Sequence, residues 1–280
     1  MLQRLAIHTY TTKPWNLSEC IENYARRGIG GISIWRETIA GFDASALAAA
    51  RQHLRDAGLQ AISLVRGGFF TGLTAEIREK GIQNNLQALR ECEALGIGKL
   101  VLVCGATPGQ TPQVNRAQIA EGITRIASAA REAGVRLLIE PLHPVYAGDR
   151  SAICSLRDAN DLCAELALPN VGIAVDVYHV WHEMDLEAQI QRCAAHGWLD
   201  AYHICDFKPD QDHLLLDRGL MGEGCIPLQQ IDEWITAAGF TGPHEVEIFS
   251  RKWWAEDQHR FLEAIVSACG RFYKTSPSCD

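Results

Sequence analysis

The chain has 280 residues, 47% of them hydrophobic and 21% charged, with a formal net charge of −8. That length allows a large core and suits a single α/β barrel, with two domains still possible on length alone, and its 26 Lys and Arg residues are scattered rather than gathered into a stripe. The pattern offers no footprint for a nucleic-acid backbone. No stretch approaches the roughly 18 uninterrupted apolar residues of a membrane span and no basic leader precedes an apolar run, so a soluble cytoplasmic protein without a membrane partner is expected.

In chain order, short apolar β-branched runs alternate with longer amphipathic stretches, the pattern of repeated βα units around a parallel sheet. Eight such runs are expected as strands: Leu5 to Thr9, Gly31 to Trp35, Ala61 to Val65, Lys99 to Cys104, Arg136 to Glu140, Gly172 to Asp176, Ala201 to Cys205 and Glu245 to Phe249. Asn16 and Glu19 have the spacing of a capping box, and Gly28 follows Arg26-Arg27 where a helix exit is expected. The run from Ala44 starts a helix that continues through Leu54, with Gly58 as its exit. Similar joints recur at Glu132-Ala133-Gly134 and Ala237-Ala238-Gly239. Gly28-Ile29-Gly30-Gly31 precedes its strand, so it reads as a helix-to-strand turn and not as the phosphate loop of an open doubly wound sheet. Together these units predict an α/β fold, a single (β/α)8 barrel over residues 1–280 with a short polar tail near 274–280.

The ten cysteines lie singly, with no C-x-x-C pair. Cys104, inside the run from Val101, behaves as a small hydrophobe, and reduced buried thiols are the general expectation. Cys279 falls in the polar tail and reads as exposed.

In barrels of this kind the active site is built at the C-terminal ends of the strands. The fifth run ends in Glu140, the sixth in Asp176, the seventh carries His203 and the eighth Glu247. A strand-terminal carboxylate alone is ordinarily a structural group. Three carboxylates brought to one rim beside an imidazole would repel unless a cation joined them. Oxygen-rich ligation with one nitrogen suits Mn2+ best, then Mg2+ or Co2+, with Zn2+ also allowed. The strand order places Glu140 and Glu247 on the flanks, suited to remove and return a proton next to a carbonyl, with Asp176 and His203 between them as anchors.

These segments resemble the xylose-isomerase-like TIM-barrel superfamily: sugar phosphate isomerases and epimerases, ketose 3-epimerases and inosose-processing enzymes. The resemblance covers nearly the whole chain. It is carried by Glu140-Pro141-Leu142-His143-Pro144, Asp176-Val177-Tyr178-His179, His203-Ile204-Cys205-Asp206, Gly222-Glu223-Gly224-Cys225-Ile226-Pro227, and Gly239-Phe240-Thr241-Gly242 leading into Val246-Glu247-Ile248-Phe249-Ser250. It implies a metal set of Glu140, Asp176, His203 and Glu247, with both glutamates as catalytic proton carriers. It also implies substrate contacts from His179 and Arg218. His143 is a further candidate contact, and Trp35, at the end of the second strand, is a candidate wall for a sugar pocket. Glu245 points the same way as Glu247 but one step deeper; the resemblance aligns Glu247 with the family's metal-binding glutamate.

The expected function is therefore a divalent-metal-dependent isomerase or epimerase of a sugar, sugar phosphate or cyclic polyol, acting through a cis-enediolate. Loss of a β-hydroxyl after the same proton abstraction would instead make a dehydratase or lyase. An abasic-site endonuclease is disfavoured because Asp217-Arg218-Gly219 lacks the histidine of the D-R-H motif and the third and fourth strands end without histidines. A noncatalytic sugar-binding protein would not need both outer glutamates. The expected partner is a small carbohydrate, and the oligomeric state, a homo-oligomer included, is left open.

Overall fold

The structure, a computed structural model, describes residues 2–275; the end of the polar tail, with Cys279, lies outside the described residues. Eight parallel strands, β1 (Leu5–His8), β2 (Gly31–Trp35), β3 (Gln60–Gly68), β4 (Lys99–Val103), β5 (Arg136–Ile139), β6 (Val171–Asp176), β7 (Leu199–Ile204) and β8 (His244–Val246), follow one another in sequence order around a closed barrel. The ring closes where Leu5 pairs with His244 and Ile7 with Val246. This is the single TIM barrel that the alternating pattern predicts.

The covering helices are α1 (Leu17–Arg26), α2 (Ala44–Asp56), α3 (Ala75–Leu95), α4 (Pro112–Glu132), α5 (Leu156–Leu166), the single turn α6 (Val177–Val180), α7 (Leu186–Ala195), α8 (Leu228–Ala237), the short α9 (Arg251–Ala255) and α10 (Gln258–Thr275). Their starts follow from side chains that satisfy the first free backbone N–H groups. Asn16 and Glu19 form the reciprocal capping box of α1, while Asp43, Thr74, Thr111 and Ser155 cap α2, α3, α4 and α5.

The main core lies between the barrel wall and the helices, with β-branched and leucine side chains from both. A smaller cluster of Trp35, Val65, Val101, Leu138, Ala174, Ala201 and Phe249 shares the strand face of Glu140, Asp176, His203 and Glu247 and fills the barrel interior.

Two strands, β3 and β8, have C-terminal ends that lie three residues from the sequence expectation, and the other C-terminal ends fall within one residue of it. β3 runs on to Gly68, where φ is +102° and a Cβ would lie 1.9 Å from the Val103 carbonyl oxygen. Only glycine permits that approach, so the Gly67-Gly68 pair lets the β3 backbone continue along β4. β8 stops at Val246, and beyond it Glu247 N still donates to Ile204 O at 3.1 Å while Thr11 Oγ1 accepts from Ile248 N at 3.0 Å. Glu140 is anchored in the same way, its N–H 3.1 Å from Leu102 O. Both glutamates thus stand one residue past a strand, at the C-terminal mouth, on backbone tied to a neighbouring strand.

Candidate active site

The four strand-terminal groups converge. One ligand atom from each of Glu140, Asp176, His203 and Glu247 lies within 4.8 Å of the others, and all four residues are buried. His203 Nδ1 is 3.2 Å from Glu140 Oε1 and 3.8 Å from Glu247 Oε2. Neither Glu140 Oε1 nor His203 Nδ1 has a directed hydrogen bond. Buried polar atoms left without one are costly, and here two of them face a common point. The donor set, three carboxylates and an imidazole, therefore fits a divalent cation.

Arg218 enters the same cluster from the long segment after β7. Its Nη1 donates to Asp176 Oδ2 at 2.9 Å and to Glu247 Oε2 at 3.0 Å, and its guanidinium carbon lies 4.3 Å and 4.5 Å from the ring centres of Tyr178 and Phe249. The aromatic faces fix the plane of the fork, and the carboxylates fix its position.

The electrostatics follow from burial set against charge. Burial outweighs Arg218 at Asp176 and, with Glu247 and Glu140 adding to it, raises that carboxyl to about 7. At Glu247 burial acts upward but loses to His8 and Arg218, which hold the carboxyl well below its usual range. Burial would lower His203, yet the surrounding carboxylates of Glu140, Glu245 and Glu247 raise it to about 10. The raised His203 reports the negative charge around it, whereas the lowered Glu247 reports its positive neighbours His8 and Arg218.

His179 sits where α6 begins. Its Nδ1 lies 3.2 Å from the backbone N–H of His143, and its Nε2 lies 3.3 Å from Arg218 Nη2 and 3.5 Å from Asp176 Oδ2. Burial, then Arg218, holds its pKa well below the ordinary value. The side chain of His143 turns away to accept from Val145 N and to meet the His182 ring. Among the expected contact residues, His179, Arg218 and Trp35 line the cavity above the cluster, together with Glu140, Glu247, Tyr10, Phe249, Leu142 and Tyr146. Trp35 stacks on Tyr10 at 4.6 Å and meets Phe249 edge-on at 5.2 Å, forming one aromatic wall. Trp254 supports that wall from behind, donating to the Tyr10 and Thr11 carbonyls, whereas Trp253 stacks on Phe261.

In the layer beneath, sequence reasoning placed Glu245 and passed over His8. His8, at the end of β1, receives a hydrogen bond from Trp35 Nε1 at 3.0 Å and lies 3.2 Å from Glu247 Oε1. Glu245, fully buried, accepts from Ser33 Oγ in a very short hydrogen bond and from Ser63 Oγ at 3.2 Å. The rule that singled out Glu140 also applies to His8, a polar group ending an apolar strand.

The comparisons with known proteins agree with this architecture. The family profile described as xylose isomerase-like TIM barrel matches residues 21–265, and the chain belongs to that family. A crystal structure of a protein from Sinorhizobium meliloti 1021 is 40% identical and superposes with a TM-score of 0.91, covering 97% of this chain and 98% of the other. The IOLI protein with a bound zinc atom is 19% identical, TM-score 0.83, over 98% of this chain and 99% of that one. D-psicose 3-epimerase, solved in the presence of D-fructose, is 18% identical, TM-score 0.79, over 95% and 96%. At such identities the last two speak to the fold. No curated protein matches the sequence.

Proposed function

We propose that this protein is a divalent-metal-dependent isomerase or epimerase of a sugar, sugar phosphate or cyclic polyol, working by proton transfer at a carbon next to a carbonyl. The observation that carries the reading is the placement of Glu140 and Glu247. Both are buried, both line the cavity, and they flank His203 Nδ1, which has no directed hydrogen bond. Zinc bound to one structural relative and ketose epimerisation named for another support it.

Glu140, Asp176, His203 and Glu247 would hold the ion, with Mn2+ the best match to three oxygens and one nitrogen. When bound, it would supply Lewis-acid stabilisation of the negative charge that develops on the substrate oxygens. The remaining work belongs to the chain. One of the two glutamates removes the carbon-bound proton and the other returns one, which is why a pair is needed. Arg218 and His179 line the cavity where they would contact the same oxygens, and the Tyr10, Trp35 and Phe249 wall covers the carbon skeleton and excludes water.

Deuterium incorporation from solvent tests this with Mn2+ present and ketoses, inososes and their phosphates as candidates, because it reports enolisation whether isomer, epimer or dehydrated product follows. Glu247→Gln is expected to slow exchange by roughly 10²–10⁴-fold. Near-wild-type exchange, with elemental analysis still finding about one ion per chain, would reject the two-carboxylate scheme.

A further inference from the structure

Above the carboxylate floor, the cavity rim carries two arginines that the scheme so far leaves unused. Arg66, near the end of β3, and Arg150, in the segment between β5 and α5, both line the cavity. Their side chains are 29% and 35% exposed, in contrast to the buried metal-ligand set. They lie on the same side of the mouth. Gly105 N donates to Arg150 O at 2.9 Å, and a Cβ on Gly105 would lie 3.1 Å from Cα of Phe69, the residue whose ring carries the Arg66 guanidinium at 4.8 Å. Arg150 in turn lies over the Tyr146 ring at 5.6 Å.

What the pair keeps beside the cavity is idle hydrogen-bonding capacity. Four other arginines close on carboxylates at short range: Arg36 on Glu91, Arg136 on Asp200 and Arg192 on Asp161 at 2.6 Å, Arg125 on Glu79 at 2.7 Å. Arg66 comes no nearer than 3.6 Å to Glu37, and Arg150 no nearer than 4.0 Å to its own neighbour Asp149. Among the described residues neither guanidinium makes a side-chain hydrogen bond. Two planar forks held by aromatic faces, with their N–H groups unspent beside a cavity, match an oxyanion with several acceptor oxygens.

We propose that Arg66 and Arg150 form an anion subsite, and that the substrate is an acidic sugar derivative. On the isomerase reading, on which this part rests, its carbonyl and hydroxyl oxygens face the Glu140, Asp176, His203 and Glu247 floor. A carboxylate or phosphate at its far end engages the rim. A neutral ketose would leave both guanidiniums without a partner.

The experiment has two arms. In the first, Mn2+-loaded protein is offered D-fructose, D-fructose 6-phosphate and D-fructuronate in deuterated water, as wild type and as the R66Q/R150Q variant. An acid-bearing probe is expected to exchange at least about tenfold more efficiently than D-fructose, the range of a charge-assisted hydrogen bond. That ratio should fall toward one in the variant, and whichever acid shows the larger drop names the group. A ratio identical in the two proteins, or D-fructose exchanging as well as both acids, overturns the subsite and leaves the isomerase reading standing.

If no sugar exchanges, the isomerase reading fails and the second arm judges the subsite alone. Metal-free protein is titrated calorimetrically with inorganic phosphate and with D-gluconate. Affinity about tenfold weaker in the variant supports the subsite, and equal affinity overturns it. R66K/R150K, which keeps the charge but loses the fork, should bind with intermediate affinity, and this guards against a merely misfolded variant.

Discussion

Glu245 and Glu247 hold His8 and His203 between them: each ring turns Nε2 toward Glu245, at 3.5 and 3.8 Å, and Nδ1 toward Glu247, at 3.2 and 3.8 Å. The two rings meet edge to face at 4.6 Å. A metal-binding imidazole is ordinarily oriented by an acceptor at its other nitrogen, and on the proposed reading Glu245 is the group that would fill that place at His203. Glu245 is itself held by Ser33 and Ser63, while burial, which would raise its carboxyl, is overcome by His8 and His203 so that it falls to about 2.

Removing the Glu245 charge without its shape should therefore weaken metal binding. For Glu245→Gln, calorimetric Mn2+ affinity is expected to fall about 10- to 100-fold. Glu245→Ala, which strands the two serine hydroxyls as well, is expected to lose about 1–3 kcal/mol of stability in addition. Mn2+ affinity unchanged in the Gln variant would leave Glu245 a structural residue only.

Arg218 offers a second test, because its single Nη1 serves two carboxylates of the cluster. Arg218→Met keeps most of the volume but leaves Asp176 and Glu247 facing each other uncompensated. Breaking a buried pair in this way costs about 3–5 kcal/mol, a fall in melting temperature on the order of 10 °C for a chain of this size. Added Mn2+ should raise the melting temperature of the variant more than that of the wild type, since the ion replaces the lost positive charge. Equal melting temperatures for the two metal-free proteins would sink the idea.

A pH effect away from the cluster can be signed from Glu183. Its Oε1 accepts the Leu156 N–H at 2.8 Å, and burial, only partly offset by that bond, raises the carboxyl from 4.5 to about 7. The native state thus keeps a proton that the unfolded chain releases. Its contribution is fully present below about pH 4.5 and is lost as pH rises to about 7. Discounted for the water that still reaches the group, the loss is on the order of 1–2 kcal/mol. Glu183→Gln keeps the acceptor oxygen and cannot ionise, so denaturant melts between pH 5 and 8 should show a flatter profile than the wild type. A profile as steep as the parent's would assign the slope to other groups.

The barrel and the polar groups at its mouth were legible from local periodicity, except that only the family resemblance separated Glu247 from Glu245. Strand ends at Glu140 and Asp176 could be read from the switch out of apolar runs, and the Asn16-Glu19 box from spacing alone. Depth inside the barrel was not legible. Period-two alternation puts Glu245 and Glu247 on one face, but only closure of the ring brings Ser33 and Ser63 from β2 and β3 onto the deeper carboxylate. The same limit hid His8, whose partners come from β2, β7 and β8, and the rim arginines, whose meaning lies in which partners they lack.

The segment that carries Arg218 is closed at its base by Asp206, and this accounts for part of the Gly222 to Pro227 motif. Asp206 Oδ1 accepts from Phe207 N at 2.8 Å and Ile226 N at 3.0 Å, and Oδ2 accepts from Gly222 N at 2.9 Å. Its backbone exchanges two 2.9 Å hydrogen bonds with Gly219, next to Arg218. Gly224 packs into the closure so tightly that a Cβ would lie 2.3 Å from Phe207 O and 2.4 Å from Asp206 Oδ1. Asp206→Ala unbinds three N–H groups at once and should cost about 1–3 kcal/mol. The looser base should also let the Arg218 fork wander, so the Michaelis constant should rise while metal affinity stays within about twofold, because Asp206 touches none of the four proposed ligands. Gly224→Ala should show the same pattern through steric pressure on the same carboxylate. Loss of metal binding in either variant, with substrate affinity preserved, would mean that the segment serves the floor of the site and not the guanidinium above it.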